Sequence, residues 1–83
     1  MKQLVLADRA KADLAALDRG ARLRIVAAIQ RMVRTNARDI KRLQGIDPPE
    51  YRLRIGEWRV RFSYPDADMV RINRVQNRKD AYR

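Results

Sequence analysis

Four arginines, Arg52, Arg54, Arg59 and Arg61, alternate with other residues on the two sides of the dipeptide Gly56-Glu57. A guanidinium keeps its charge at any biological pH and offers a planar fork of donors that fits two phosphate oxygens. Such a set suits phosphate binding and the stabilisation of charge that develops on a phosphate. The rest of the chain leans the same way. Its 83 residues hold 20 Lys plus Arg against 10 Asp plus Glu, a formal charge of +10, and 16 of the cations are arginine. That self-repulsion costs stability, and a polyanion relieves it. Nucleic acid is the first candidate partner, ahead of an anionic membrane surface or an acidic protein. Histidine and cysteine are both absent. Catalysis without them has neither imidazole nor thiolate, and neither a zinc site nor any other cofactor is expected. Apolar stretches fall well short of the roughly 18 residues that span a membrane, and no signal peptide is visible. The chain reads as cytoplasmic, with no membrane partner.

Four cations act together only if the backbone holds them side by side. From Tyr51 to Tyr64 the sequence has a period of two: Tyr51, Leu53 and Ile55 alternate with Arg52 and Arg54, then Trp58, Val60, Phe62 and Tyr64 with Arg59, Arg61 and Ser63. This predicts a β-hairpin with a type II′ turn, Gly56 taking the first central position. A two-residue loop pairs Ile55 with Trp58, Arg54 with Arg59, Leu53 with Val60 and Arg52 with Arg61. All apolar residues then share one face and all four arginines the other. Like charges opposite one another on neighbouring strands repel, and a phosphate ligand supplies the missing negative charge. Arg71 or Arg74 of a last strand, with Arg78, Lys79 and Arg83 of the tail, extends the basic surface. Glu50 shares the phase of Arg52 and faces it, whereas Glu57 at the turn tip reads as solvated. Trp58, in phase with Val60 and Phe62, reads as core.

Around the hairpin the elements follow in a simple order. Gln3 to Ala7 is a first strand, and Asp8 reads as the N-cap of a helix through Asp18 that Gly20 breaks. A second helix runs from about Ala21 to Thr35, with Val26, Ile29 and Val33 on its apolar stripe. Its arginines, Arg22, Arg24, Arg31 and Arg34, with Arg38 beyond, form a second basic surface that is either solvated or set against a polyanion. Asn36 to Pro49 is a connector ended by Asp47-Pro48-Pro49. Pro65 to Asp68 turns into a last strand, Met69 to about Gln76, whose alternation slips near Arg74-Val75 as at a bulge. The order β-α-α-β-β-β predicts a single α+β domain over residues 1–83, a two-layer structure with a mainly antiparallel sheet and two helices on one face.

These same segments resemble the RelE/ParE superfamily of toxins. Tyr51-Arg52-Leu53-Arg54-Ile55-Gly56-Glu57-Trp58-Arg59-Val60 is similar to its YRLRIGDYRV hairpin, Lys41-Arg42-Leu43-Gln44-Gly45 to its KLxG element, and Asn77-Arg78-Lys79-Asp80-Ala81-Tyr82-Arg83 to its HRKDVYR terminus. The resemblance covers essentially the whole chain and implies a toxin of a type II toxin–antitoxin system, held by an acidic antitoxin in a hetero-oligomer. RelE-type members are ribosome-dependent endoribonucleases that use the 2′-OH of the mRNA as nucleophile. ParE-type members poison DNA gyrase. A degenerate member would only bind RNA or its antitoxin.

By resemblance to the RelE branch, Arg52, Arg54, Arg59, Arg78 and Tyr82 are catalytic positions, and Arg61 joins Arg52, Arg54, Arg59 and Arg78 in holding phosphate. Where that branch can carry lysines this chain has Arg52 and Arg54, which do not give up a proton. Where many relatives have histidine it has Asn77. The residues left as bases are Glu50 and Lys79, with Tyr82 and Glu57 as further candidates. The expected function is an mRNA interferase acting on mRNA and the ribosome, the alternative an inhibitor of gyrase.

Overall fold

The computed structural model describes residues 3–34, 40–46 and 49–81. Along the chain it runs β1 (Gln3–Leu6), α1 (Asp8–Ala15), α2 (Arg19–Arg34), β2 (Ile40–Leu43), β3 (Glu50–Ile55), β4 (Trp58–Asp66), β5 (Met69–Asn77) and the short α3 (Arg78–Ala81). The five strands form one sheet in the order β1-β5-β4-β3-β2, with β1 parallel to β5 and every other pair antiparallel. This is the α+β arrangement expected, with β2 as an additional strand.

The hairpin has the expected register, from Ile55 opposite Trp58 to Arg52 opposite Arg61, and extends to Tyr51 opposite Phe62. Gly56 has φ 56°, while no described non-glycine residue has positive φ, so Glu57 takes the ordinary sign that a type II′ turn requires. Leu53, Val60 and Phe62 turn to the helices and are buried with Val70, Ile72 and Val75 of β5 against Ala10, Leu14, Ile25, Ile29 and Met32. Phe62 is fully enclosed. Its ring stacks on Tyr51 at 5.7 Å and meets Tyr64 edge-on at 5.6 Å. Burial of such a side chain contributes about 1.5–3 kcal/mol. Trp58 is partly buried and packs against the core, as its phase indicates.

Four local expectations are corrected. Asp8 lies inside the first turn of α1, whose N-cap is Ala7 with no side-chain cap bond. The break between helices is at residues 16–18, not at Gly20. Asp18 Oδ2 accepts the Ala21 N–H at 3.3 Å and the Asp18 carbonyl accepts the Arg22 N–H at 3.0 Å. Asp18 therefore caps α2, and Gly20 sits in its first turn, where a Cβ would meet the capping oxygen at 3.3 Å. The connector holds β2, paired with β3 from Ile40 opposite Leu53 to Leu43 opposite Glu50. The strands of the second hairpin run on to Asp66, through Pro65. The expected slip in β5 is real: Arg61 faces Arg74 and Phe62 faces Ile72, leaving Asn73 as the extra residue.

Where β1 ends, α1 takes over the edge of β5. The last parallel pair is Leu6 with Ile72, followed by a 2.9 Å bond from the Ala7 N–H to the Ile72 carbonyl. Beyond it, Asp13 Oδ2 accepts the Val75 N–H and Arg74 Nε, each at 2.9 Å, and Oδ1 accepts Arg74 Nη2 at 3.3 Å. Burial pushes the Asp13 carboxyl up, but bonds from Arg74 and Val75 and the charge of Arg74 outweigh it and hold the group below its ordinary value. A depressed folded pKa adds stability above the unfolded value that is lost as pH falls through the folded one.

Asp13→Asn is therefore expected to cost about 1–3 kcal/mol at neutral pH in urea unfolding, the range for hydrogen bonds to a partly buried charge. The difference from wild type should shrink below about pH 4, where the unfolded carboxyl is protonated. An equal difference at pH 3 and pH 7 would show that the carboxylate charge is not the source. At the hairpin, Gly56→Ala meets no atom within 4 Å, so its cost is the left-handed backbone alone, about 1–2 kcal/mol. A thermal midpoint lowered by several degrees checks this; no change would mean that the turn relaxes freely.

Candidate nucleic-acid interface

The sheet face turned away from the helices carries the cations in cross-strand rows. One row runs Lys41, Arg52, Arg61 across β2, β3 and β4. A second runs Arg54, Arg59, Gln76 across β3, β4 and β5. A groove of about 280 Å³ lies on this face, lined by Arg52, Arg59, Arg61 and Gln76 from the sheet and by Leu43 and Ile46 from β2 and the turn after it. Two backbone features make it. The two-residue turn fixes which side chains of β3 and β4 face outward, and β2 widens the face by one strand.

Within it the four arginines are not equivalent. Arg54 is exposed and Arg52 half-buried. Arg59 is only 6% exposed and folds back on its own turn. Its Nη1 donates to the Gly56 carbonyl at 2.9 Å and to the Trp58 carbonyl at 3.0 Å, while its Nε is buried and has no hydrogen-bond partner among the described residues. The Glu57 carbonyl between them accepts the Arg78 N–H at 2.6 Å. The turn thus holds Arg59 in place and fastens the start of α3. Arg61 meets Glu50: Oε2 lies 2.6 Å from Nη2 and 2.9 Å from Nε. Glu50 does face the basic surface, as its phase predicts.

Asn73, the bulge residue, was silent in sequence and speaks here. Its Nδ2 donates to Glu50 Oε1 at 3.4 Å and to Ser63 Oγ at 3.3 Å. The extra residue in β5 turns this amide toward the basic face, which regular alternation from Ile72 would not combine with a buried Val75. Arg74, considered for the same face, is committed to Asp13 at the sheet edge, and that bond raises its own pKa. Arg71 is exposed opposite Ser63.

At the end of β5, Asn77 Oδ1 accepts the Lys79 N–H at 3.1 Å and so caps α3. Arg78 and Lys79 are exposed and line, with Glu57 and Asn77, a second cavity of about 310 Å³. The structure therefore places Arg52, Arg59 and Arg61 along one groove, and Arg78 and Lys79 at a separate one. Tyr82, like Arg38 and Arg83, lies outside the described residues. Lys41 and Gln76 were missed as members of the face, because the strand of the first and the register of the second are not visible without the sheet. The only signal was Lys41 in the KLxG-like element. Among the described residues no group of three His, Cys, Asp or Glu could hold a metal ion.

No curated protein matches the chain. Solved structures do. The chain is similar to a protein of the RelB-RelE antitoxin–toxin complex of Methanococcus jannaschii, with 27% identity, a TM-score of 0.73 and 94% of each chain covered. A second match, at 24% identity and TM-score 0.77, is to the RelBE2 toxin–antitoxin complex of Mycobacterium tuberculosis, covering 93% of this chain and 98% of the other. A third, in the intact RelBE complex of E. coli, has 16% identity and a TM-score of 0.75 over 93% and 96% of the two chains, a likeness of fold alone. The family model for the ParE toxin of the type II toxin–antitoxin system parDE matches residues 4–82. Spanning nearly the whole chain, that match shows that this protein is a toxin of a type II toxin–antitoxin system and belongs to the ParE toxin family of the RelE/ParE superfamily.

Proposed function

We propose that this toxin is an mRNA endoribonuclease that acts in the cytoplasm with the ribosome and is held inactive by an acidic antitoxin. The observation that carries the reading is the Lys41-Arg52-Arg61 row, with Arg54 and Arg59 beside it, on a sheet face the helices leave open. Cationic side chains on neighbouring strands, their Cβ atoms about 5 Å apart, suit a backbone of successive phosphates. An antitoxin segment rich in Asp and Glu would satisfy the same cations, which explains why one surface can serve both poison and antidote. The complexes of similar toxins with their antitoxins support such a partner.

In this reading the 2′-oxygen of the RNA attacks the adjacent phosphorus and the bond from phosphorus to the 5′-oxygen breaks. The 2′-hydroxyl proton passes to a base, and the leaving oxygen takes one from an acid. Arg52 and Arg54 grip the phosphates and Arg59 stabilises the charge that builds on the phosphoryl oxygens, with Arg78 contributing from the second cavity beside the turn. Tyr82 stacks on a base or passes a proton. Glu50 and Lys79 are the candidate bases from sequence, and Lys41 joins them, since lysine, unlike arginine, can release its proton. Positioning within the ribosome supplies much of the rate.

A second reading is inhibition of DNA gyrase without cleavage. It is favoured by the internal partners of Arg59 and Arg61 and by the absence of histidine, which leave the face better furnished for binding than for proton transfer.

Cell-free translation with mRNA ends mapped by primer extension, run beside a gyrase supercoiling assay, separates the two. The nuclease predicts cuts at ribosome-positioned codons that fall at least 100-fold in rate in Arg52→Ala or Arg78→Ala, the scale of losing one transition-state charge contact. Intact transcripts with arrested supercoiling would replace it by the second reading, and neither effect would leave a member that only binds.

A further inference from the structure

Glu50 is held on the basic face by more than one neighbour. Its Oε2 takes two donors of Arg61 at 2.6 and 2.9 Å, and its Oε1 takes the Asn73 amide at 3.4 Å. Asn73 is in turn anchored to Ser63 Oγ at 3.3 Å. Three strands thus converge on one carboxylate: β3 carries it, β4 supplies the arginine and serine, and the bulge of β5 supplies the amide. The Glu50 side chain is 20% exposed and that of Arg61 36%, so the pair sits at the floor of an open face.

A carboxylate and a phosphodiester each carry one negative charge and each present two oxygens to a guanidinium fork. They compete for the same donors. In the row Lys41-Arg52-Arg61 this competition falls on Arg61, whose fork Glu50 holds.

We propose that Glu50 is an internal stand-in for phosphate that withholds Arg61 from general polyanions and so sets the specificity of the face. This rests on the reading of that face as a phosphate-binding surface. Arg61 engages only when a phosphate is pressed into the position of Glu50 strongly enough to displace it. Asn73 is a positioning residue that keeps the carboxylate aimed at Arg61. The result is a chain of formal charge +10 in which Arg61 stays closed to indiscriminate RNA.

The test is binding of the antitoxin-free toxin to a fluorescent single-stranded RNA across a salt series, by anisotropy. Glu50→Gln keeps the size and hydrogen-bonding atoms while removing the charge. It should bind roughly two- to fivefold tighter, the scale of releasing one partly exposed ion pair. The slope of log affinity against log salt should steepen by about 0.7, one more phosphate on a single strand. Both gains should vanish when Arg61→Gln is added. Asp8→Asn, an equal change of net charge at the start of α1, should stay within about twofold of wild type, the weak effect of a distant, screened charge.

A Glu50→Gln protein that binds no tighter than wild type, or whose gain survives Arg61→Gln, overturns the proposal. Failure of the underlying reading looks different: binding by wild type that is insensitive to salt and to Arg52→Ala. In that event inorganic phosphate, followed through the Arg61 Nε–H resonance, still decides the matter. A saturable shift at lower concentration in Glu50→Gln than in wild type supports the stand-in, and identical titrations overturn it.

Discussion

The backbone ladder between β3 and β4, closed by Gly56 at φ 56°, decides which way each side chain of the basic face points. A slip of one residue would carry Leu53, Val60 and Phe62 into solvent and the arginines into the core. Opposed pairs such as Arg52 with Arg61 push against the ladder. Their guanidinium groups can lie farther apart than the roughly 5 Å between the Cβ atoms, so each pair costs on the order of 1 kcal/mol where water reaches it. The apolar side resists with three buried side chains, each worth about 1.5–3 kcal/mol, and with the Tyr51 ring stacked on Phe62. Burial on one face therefore holds together charges that would separate if the sheet were free to choose.

The remaining repulsion is met locally, by a different device for each arginine nearest the sheet. Arg59 spends one nitrogen on the carbonyls of its own turn. Arg61 takes Glu50, and Arg74 takes Asp13. These partners do two jobs. They offset the cost of crowding cations in the free protein, and they hold each guanidinium in one orientation, which reduces the ordering that a ligand must impose. They also set a threshold, since a phosphate gains from such an arginine only what exceeds the bond it replaces.

What could be seen in the sequence follows from the range of each interaction. The hairpin and its four-arginine face depend on a period of two and one turn, both local, and the structure has the same register. β2 was hidden because Ile40-Lys41-Arg42-Leu43 has no alternation and only pairing with β3 makes it a strand. The helix break was misplaced because Gly20 is the louder signal, although Asp18 holds the cap. The Glu50-Asn73 contact joins positions 23 apart, and Asp13 reaches residues 61 and 62 positions away. No pattern in the chain announces pairs of that kind. Family membership was legible for the opposite reason, since it rests on short contiguous segments around the hairpin and the terminus. What the face does to its target is not carried by those segments.

Binding and cleavage make different demands on this face, and Glu50 is where they meet. To bind phosphate, the sheet needs only cations at the right spacing. To cut RNA it also needs a group that can accept a proton beside the 2′-oxygen, a contribution of about 10²–10⁴ in rate. While Glu50 bonds Arg61 and Asn73 its oxygens are occupied on the wrong partners for that task. A phosphate that displaces it from Arg61 frees the carboxylate next to the very phosphate that has arrived. In the nuclease reading one exchange would thus supply both the phosphate grip and the base, and only for an RNA forced deep into the face. In the gyrase reading the same exchange has no proton to move, and Glu50 acts on affinity alone.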